Sequence, residues 1–326
     1  MSERLGTSYT EYAAGSIFER SADSRSGTVF FLSDFGLRDE FVGVVHAVIQ
    51  QIAPLTTVID ITHGVSPFDV RGGSFALERA APYLGPGVVL GVVDPGVGSE
   101  RRGIALELEE STGPRFFVGP DNGLLVAAAR ICGLVAKVAV ITGSPITPFG
   151  APIPSDLFVT SETSLDLTAL GALSPLTFHA RDLFAPVAAS LTLGARLEDL
   201  GELVDPRSLT TLAPGVVDKG TLRDGRRYLR TEVTWIDRFG NAQLAAGSDD
   251  ISRDADVVPS VELVAESSET TSLPVTLVRA RVFSDLAAGE LGVLVDSNGH
   301  LAIVCGEASA AEKLSLSQGQ LVTLAY

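Results

Sequence analysis

The sequence predicts an N-terminal α/β domain, in which helices flank a mostly parallel central sheet, followed by a C-terminal antiparallel β-barrel-like domain. Between residues 28 and 142, apolar strand-like runs alternate with amphipathic helical segments, which is typical of parallel strands joined by crossover helices. After about residue 210 the helical periodicity ends, and short strand-like runs separated by turns follow one another. These two patterns indicate two domains of different architecture.

The length and composition agree with this division. The chain has 326 residues, enough for two domains, and its 45% hydrophobic and 20% charged residues are typical of a globular protein. We expect a flexible tail over 1–27, the α/β domain over 28–205 and the barrel-like domain over 210–326. Residues 143–176 are rich in Pro, Ser, Thr and Gly, so we expect them to form a surface insertion in the first domain.

The elements of the first domain follow from the hydrophobic pattern. Apolar residues recur at helical spacing over 41–52, and Asp39 is placed to cap this helix, as Asp69 is for the next one. In chain order, the predicted elements are strand 28–33, helix 41–52, strand 56–62, helix 69–84, strand 88–93, a hairpin of strands 104–108 and 115–118, a helix from about 124, strand 136–142 and a helix ending near 191.

The second domain is predicted to consist of short strands alone. Its turn at Asp296-Ser297-Asn298-Gly299 suits a tight hairpin, because Asn-Gly tolerates a positive φ. The predicted strands are 228–236, 243–246, 260–264, 275–282, 292–295, 301–304 and 321–325.

One stretch of the first domain carries the strongest chemical signal. A β-branched apolar run typical of a buried central strand ends at Asp94, and the turn Pro95-Gly96-Val97-Gly98 follows it. Arg101 comes seven positions after Asp94. The sequence therefore places a carboxylate and a guanidinium at the carboxyl edge of a sheet, where open α/β sheets bind ligands.

Acidic turns recur at the ends of predicted elements. Asp34, Asp94, Asp121 and Asp237 each follow a strand-like run. Any one of them could be a turn cap, which is the commoner role of such a residue. Together they suggest a polar ring around a site that binds hydroxyls and amines, because one carboxylate can accept two hydrogen bonds from a ribose diol.

Composition and missing motifs exclude several classes of function. The net charge of −16 argues against nucleic acid and against an anionic membrane surface as partners. The chain has no Gly-rich dinucleotide fingerprint, no P-loop and no metal-binding motif, and its four histidines are scattered. Cys132 and Cys305 lack the spacing of a zinc site or a disulfide framework. With neither a signal peptide nor a membrane span in the sequence, we expect a cytoplasmic protein.

Six motifs in one order resemble the S-adenosylmethionine hydroxide adenosyltransferase family, whose members hydrolyse S-adenosyl-L-methionine and form adenosine. The likeness runs from about residue 28 to the C-terminus. The motifs are Ser33-Asp34-Phe35-Gly36, Ile61-Thr62-His63, Val93-Asp94-Pro95-Gly96-Val97-Gly98 with Arg101-Arg102, Pro120-Asp121-Asn122-Gly123, Phe178-His179-Ala180-Arg181-Asp182 and Phe239-Gly240-Asn241.

The resemblance implies a set of site residues. Its catalytic triad of Asp, Arg and His corresponds to Asp94, Arg101 and His179. The other implied contacts are Asp34 with the ribose diol, Phe68 as an aromatic wall against the ribose, Asp39 and Asp237 near the methionine amino group, Phe239 and Asn241 in the adenine pocket, and Ser297 with the methionine carboxylate.

The resemblance also implies a reaction and an assembly. Water and S-adenosyl-L-methionine would give adenosine and L-methionine, with no metal and no cofactor, because S-adenosyl-L-methionine is itself the substrate. The family forms homotrimers whose sites lie between the N-terminal domain of one subunit and the C-terminal domain of the next. Two alternatives stay open: a halogenase that uses chloride or fluoride, and a protein that binds S-adenosylmethionine or adenosine without turnover. Related halogenases carry Tyr at the Asp94 position, which favours hydrolysis here.

Overall fold

A computed structural model describes residues 27–111, 113–142, 177–251, 260–265 and 274–326. In these ranges the chain forms two sheets, one from its N-terminal and one from its C-terminal part. The predicted α/β and barrel-like architectures are both confirmed. The expected insertion over 143–176 and nearly all of the expected tail lie outside the described residues.

The N-terminal sheet has seven strands in the order β2-β1-β3-β5-β4-β6-β7. β2, β1, β3 and β5 run parallel, whereas β4, β6 and β7 are joined to their neighbours by antiparallel pairing. Its strands are β1 Thr28–Ser33, β2 Thr57–Thr62, β3 Val88–Val92, β4 Gly103–Glu109, β5 Phe116–Pro120, β6 Leu134–Ile141 and β7 Gly201–Val204. The short β7 was not predicted, since four residues with a half-exposed pattern give little periodic signal.

Helices cover both faces of this sheet. They are α1 Phe41–Ile52, α2 Val70–Ala80, α3 Val126–Cys132 and α4 Ala185–Thr192, the last preceded by a π-helical turn at Ala180–Phe184. Side chains alternate along β1, so that Phe31 packs in the core under α1 and α4, whereas Phe30 and Leu32 pack in the core under α2 and α3. Every residue of β3 is buried, as predicted for a central strand. None of the described helices is long and apolar enough to cross a membrane.

The two predicted helix caps have different outcomes. Asp69 does cap α2, since its Oδ1 accepts a hydrogen bond from the Gly72 amide at 2.8 Å. The prediction that Asp39 caps α1 is wrong: Glu40 occupies the N-cap position with helical φ and ψ, and it makes no side-chain cap bond. Asp39 lies one residue before the N-cap and is exposed, so its carboxylate does not cap the helix.

The C-terminal sheet closes into a barrel. Its order is β10-β14-β13-β12-β11-β15-β9-β8, and β10 also pairs with β9, which joins the two sides. The strands are β8 Val217–Thr221, β9 Arg227–Ile236, β10 Ala242–Gly247, β11 Ser260–Ala265, β12 Val275–Arg279, β13 Leu291–Val295, β14 His300–Cys305 and β15 Leu321–Ala325.

Two details correct the prediction of a purely antiparallel barrel made of strands alone. β12 and β13 pair in parallel. A short helix, α5 Ala310–Leu314, packs Ala310 and Ala311 into the apolar barrel interior. The Ser309 hydroxyl caps this helix by accepting from the Glu312 amide, and a serine followed three residues later by a glutamate is a typical sequence pattern for a helix start.

Helix α2 joins the two sheets within one chain. The Arg71 guanidinium donates to Glu232 Oε2 on β9 at 2.9 Å, and Arg79 donates to Gln243 Oε1 on β10 at the same distance. The Arg79 guanidinium also lies over the Trp235 ring, 4.9 Å from its centroid, and burial lowers the pKa of Arg79. α2 thus connects the two sheets through charged groups at both ends of the helix.

Candidate active site

Four polar residues follow parallel strands at one edge of the N-terminal sheet. Asp34 follows β1, His63 follows β2, Asp121 follows β5, and Asp94 lies two residues beyond β3. Because these strands run in the same direction, their carboxyl ends meet at the same edge. Three of the four predicted acidic turns, at Asp34, Asp94 and Asp121, therefore lie at this edge, whereas Asp237 follows β9 in the other sheet.

A tight turn after Asp94 brings Arg101 back to it. The Val97 amide donates to the Asp94 carbonyl, and the Ser99 hydroxyl donates to the Gly96 carbonyl at 2.7 Å. Gly98 has a φ of +79°, a conformation that L side chains rarely adopt. The Arg101 amide then donates to Ser99 Oγ at 3.2 Å, which directs the chain toward β4.

Asp94, Arg101 and His179 form one contiguous group. Arg101 Nε donates to Asp94 Oδ1 at 2.8 Å, and its Nη2 pairs with Asp94 Oδ2, so that the contact is bidentate. The same Nη2 lies 2.7 Å from His179 Nδ1. The carboxylate and the guanidinium side chains are only 7% and 11% exposed, and the guanidinium lies over the Phe184 ring. The structure thus unites two residues of the turn between β3 and β4 with the residue that immediately precedes the π-helical turn.

The contact with Arg101 fixes the state of His179. A guanidinium has donors and no acceptor, so His179 Nδ1 must accept and must carry a lone pair. The ring is therefore neutral, with its hydrogen on Nε2. Burial, and then the positive charge of Arg101, lowers the pKa of His179 below its ordinary value. Both effects keep the imidazole uncharged near neutral pH.

Arg102 has a different partner from its neighbour. Its guanidinium pairs with Asp121 Oδ2, and its Nη2 donates to the Ser208 carbonyl at 2.7 Å. Asp121 Oδ1 also accepts from the Thr210 amide at 2.9 Å. These bonds hold the segment after β7 against the strand ends. Asp121 is thus a structural anchor.

Asp34 and Phe68, both implied substrate contacts, are neighbours. Asp34 Oδ2 accepts from the Phe68 amide at 2.8 Å. Phe68 has a φ of +68°, which is rare for a bulky side chain, and its side chain is 71% exposed. A strained residue that presents an aromatic ring to solvent is typical of a ligand-binding position.

The implied substrate contacts in the C-terminal part lie in two turns of the barrel. Asp237 Oδ1 accepts from the amides of Phe239 and Asn241, both at 2.9 Å, and its Oδ2 accepts from Asn241 Nδ2. Phe239 is 72% exposed, and Ser297 is also exposed, in the turn after β13. Among the described residues, no hydrogen bond or ion pair joins these groups to the triad of the same chain.

We expect Gly240→Ala to disturb the Asp237 turn. Gly240 has a φ of +81°, and an added Cβ would lie 2.0 Å from Ser309 Oγ and 2.8 Å from Ser309 Cα. Strain and overpacking together should lower the free energy of unfolding by about 2–4 kcal/mol, measured by urea denaturation. Gly299→Ala is the matched control, because Gly299 has a φ of +83° with no atom within 4 Å of the added Cβ. Equal losses in the two variants would contradict the predicted contact with Ser309.

Comparison with known proteins identifies the family. The model of the SAM hydroxide adenosyltransferase N-terminal domain matches residues 29–201, and that of the C-terminal domain matches residues 231–323. The chain belongs to this family. Within the SAM hydroxide adenosyltransferase family, a relative from Salinispora tropica named (R)-S-adenosyl-L-methionine hydrolase is 39% identical over 291 residues, which cover 89% of this chain and 95% of the relative.

A solved structure and a more distant relative extend the comparison of this SAM hydroxide adenosyltransferase family member. A solved structure of an uncharacterized conserved protein from Thermotoga maritima matches with a TM-score of 0.68 and 32% identity, covering 91% of this chain and 99% of that one. A fluorinase from Actinoplanes sp. is 23% identical and covers 91% of this chain and 96% of its own length. The relative named a hydrolase is thus closer than the fluorinase.

The structure also assembles a cluster that the sequence did not indicate. His46 on α1 and His63 after β2 both contact Asp60 on β2, although the histidines are far apart in the chain and match no metal-binding motif. Only the register of β2 and the face of α1 bring them together. Asp60 and His63 at i, i+3 were the one local signal.

Proposed function

We propose that this protein hydrolyses S-adenosyl-L-methionine to adenosine and L-methionine. The observation that carries the proposal is the bidentate Asp94–Arg101 pair whose guanidinium also contacts neutral His179, in a chain of the SAM hydroxide adenosyltransferase family. The reaction needs no metal or cofactor, because the sulfonium group of the substrate already activates the carbon that is attacked.

The chemistry is a single displacement at the ribose 5′ carbon. The water oxygen forms a bond to this carbon while the carbon–sulfur bond breaks, and the electron pair of that bond stays on sulfur. The leaving methionine is then a neutral thioether, so it needs no proton. Arg101 binds the attacking oxygen and favours its hydroxide character, and Asp94 holds the guanidinium in a fixed plane.

The proton lost by water passes to His179 and then to solvent. The acceptor is the Nδ1 lone pair, which accepts from Arg101 in the described arrangement. When the nucleophilic water takes over the hydrogen bond from Arg101, this lone pair becomes available to the water proton. His179 can act in this way only while neutral, and its lowered pKa keeps it neutral.

The substrate is bound between two subunits of a homotrimer in this proposal. Asp34, Asp39 and Phe68 of one subunit hold the ribose and the amino group. In the next subunit, Asp237 also contacts the amino group, Phe239 and Asn241 hold adenine, and Ser297 contacts the methionine carboxylate. The exposed rings of Phe68 and Phe239 support the proposal, because neither ring is buried within its own chain.

Complementation between subunits tests the shared site. Asp94→Asn and Asn241→Ala variants would be co-expressed with different tags, and mixed trimers would be isolated by sequential affinity steps. Mixed trimers contain some sites with both halves intact, so they should be far more active than either parent trimer. A monomer by light scattering, or mixed trimers as inactive as the parents, would contradict the shared site.

A location in the cytoplasm is also part of the proposal. Cys132 and Cys305 are buried free thiols, and thiols of this kind are stable in a reducing compartment. Fractionation of cells followed by detection of the protein tests the location.

Product analysis tests the reaction itself. Purified protein would be incubated with the (R) and (S) sulfonium epimers of S-adenosyl-L-methionine, with and without chloride or fluoride, and the nucleosides would be separated by chromatography. The name of the Salinispora relative specifies the (R) epimer, so we expect adenosine from that epimer without halide. A 5′-halo-adenosine would indicate a halogenase, and bound nucleoside without any product would indicate a binding protein.

The pH dependence of kcat/KM should report the protonation of His179. A base with a lowered pKa stays neutral as the pH falls past about 6.5, the ordinary value for histidine, so activity should persist there and fall only at lower pH. Circular dichroism at each pH separates this loss from unfolding. An acid limb with its midpoint clearly above the ordinary histidine value would contradict His179 as the base.

A further inference from the structure

We propose that His46, Asp60 and His63 form a binding site for a divalent transition-metal ion, with zinc as the ion that fits best. The site would tie helix α1 to β2, the edge strand of the N-terminal sheet. It rests on the geometry of three side chains and does not depend on the proposed reaction.

The three side chains converge on one point. His46 Nε2 lies 2.8 Å and His63 Nε2 lies 3.1 Å from the same oxygen, Asp60 Oδ1. The potential ligand atoms of all three residues lie within 4.8 Å of one another. In zinc sites the ion lies about 2.0–2.2 Å from nitrogen and oxygen ligands, so that neighbouring ligand atoms are about 3.3 Å apart. The two distances to Asp60 Oδ1 lie within about half an ångström of this spacing, and rotation of the partly exposed His46 side chain would adjust the rest.

His63 is oriented as a metal ligand would be. Its side chain is 2% exposed, and its Nδ1 lies 2.7 Å from Ser33 Oγ, which also accepts from the Phe35 amide. A second-sphere hydrogen bond of this kind fixes the ring of a ligating histidine, and with Nδ1 as the donor it leaves Nε2 with a lone pair for a metal ion.

The Nε2 atom of His63 is buried and has no hydrogen-bond partner. Although it lies near Asp60, the direction of the contact does not suit a hydrogen bond. When Nδ1 donates its hydrogen to Ser33 Oγ, the Nε2 lone pair faces the Asp60 carboxylate with no proton between them, which is unfavourable. A cation between the two groups removes the repulsion and satisfies both.

The donor set and the exposure select the kind of ion. Two imidazoles and one carboxylate suit zinc and its neighbours in the first transition row better than magnesium or calcium, which prefer oxygen ligands. His46 and Asp60 are 32% and 40% exposed, so that the ion can enter and a water molecule can take a fourth position. The site is structural in this proposal, because it shares no hydrogen bond or ion pair with the triad in the described ranges.

The ion would also support the loop that carries Asp34. The His63 carbonyl accepts from the Gly36 amide at 2.8 Å, while its ring contacts Ser33. Fixing His63 therefore restrains both ends of the segment Ser33–Gly36.

Titration of the untagged, chelator-treated protein with Zn²⁺ in a calorimeter tests the proposal. We expect one ion per chain in the wild type and at least tenfold weaker binding in His46→Gln. Glutamine keeps a donor for Asp60 but removes the imidazole, and His46 is partly exposed on a helix, so this variant should fold. His300→Gln is the control, because it removes a histidine outside the cluster and should bind as tightly as the wild type.

Cobalt provides a second readout. Co²⁺ bound to the wild type should give the visible absorption bands of a four- or five-coordinate nitrogen and oxygen site, and these bands should be absent in His46→Gln. Failure to bind one Zn²⁺ per chain, or binding that His46→Gln leaves unchanged, would overturn the site, whatever the outcome of the assays with S-adenosyl-L-methionine.

Discussion

Asp94→Asn is expected to lower kcat by about 10²–10⁴-fold, the usual range for removal of a group that positions or moves the reacting proton. The amide cannot hold the Arg101 guanidinium by two charge-assisted bonds, so Arg101 loses its fixed plane. KM should change far less, because the residues proposed to hold the nucleoside and methionine are untouched. Initial rates of adenosine formation over a range of substrate concentrations separate the two constants.

The control for this prediction is the neighbouring pair. Asp121→Asn weakens a second aspartate–arginine contact at the same sheet edge, in which two guanidinium nitrogens donate to Asp121 Oδ2, but Arg102 touches neither Asp94 nor His179 in the described contacts. Per folded molecule, this variant should keep kcat within tenfold of the wild type. Similar losses in both variants would mean that Asp94 acts through stability, and a wild-type rate in Asp94→Asn would remove it from the mechanism.

Arg102→Ala should lower the free energy of unfolding by about 3–5 kcal/mol, because it leaves the buried carboxylate of Asp121 without its counter-charge. The Asp121 side chain is only 3% exposed, so its carboxylate relies on Arg102 for a counter-charge. The variant also releases the Ser208 carbonyl, which Arg102 holds at 2.7 Å. Urea denaturation followed by circular dichroism measures the loss.

An exposed pair in the same segment provides the comparison. Arg207 and Asp205 make a bidentate contact, but their side chains are 91% and 48% exposed. The hydrogen bonds from Arg207 lower the pKa of Asp205 to about 2, yet solvent screening leaves such exposed pairs with little net effect on stability. Arg207→Ala should therefore unfold at the same urea concentration as the wild type. If Arg102→Ala did so as well, the Arg102–Asp121 contact would not be the anchor described above.

The sequence revealed the parts of the fold in which periodicity is strong. The buried run of β3 and the apolar stripe of α1 lie within a residue or two of their predicted bounds. The missed elements are short: β7 has four residues, and β8 is largely exposed. Their positions depend on pairing with β6 and β9, which no local pattern reports.

The candidate site was predictable in part. The turn chemistry at Asp94 and the spacing to Arg101 indicated the pair, whereas His179, 78 residues further along, came only from the family resemblance. The protonation of His179 could not be read from the sequence, because it follows from which ring nitrogen faces Arg101. The cluster at Asp60 was not predicted for a similar reason: beyond the i, i+3 spacing of Asp60 and His63, a helix face and a strand register had to be combined.

The contacts of α2 with the barrel have a consequence for how the enzyme opens. Bonds from Arg71, Arg79 and the Asp69 cap, which accepts from Gln318 at 2.8 Å, would all have to break before the two sheets of one chain could rotate apart. Rotation of the two sheets away from each other within one chain is therefore unfavourable in free energy. With the two sheets of each chain held together, we expect adenosine and methionine to leave the proposed site between subunits by displacement of single loops, such as the Asp237 turn, and the rate of that local motion would limit turnover.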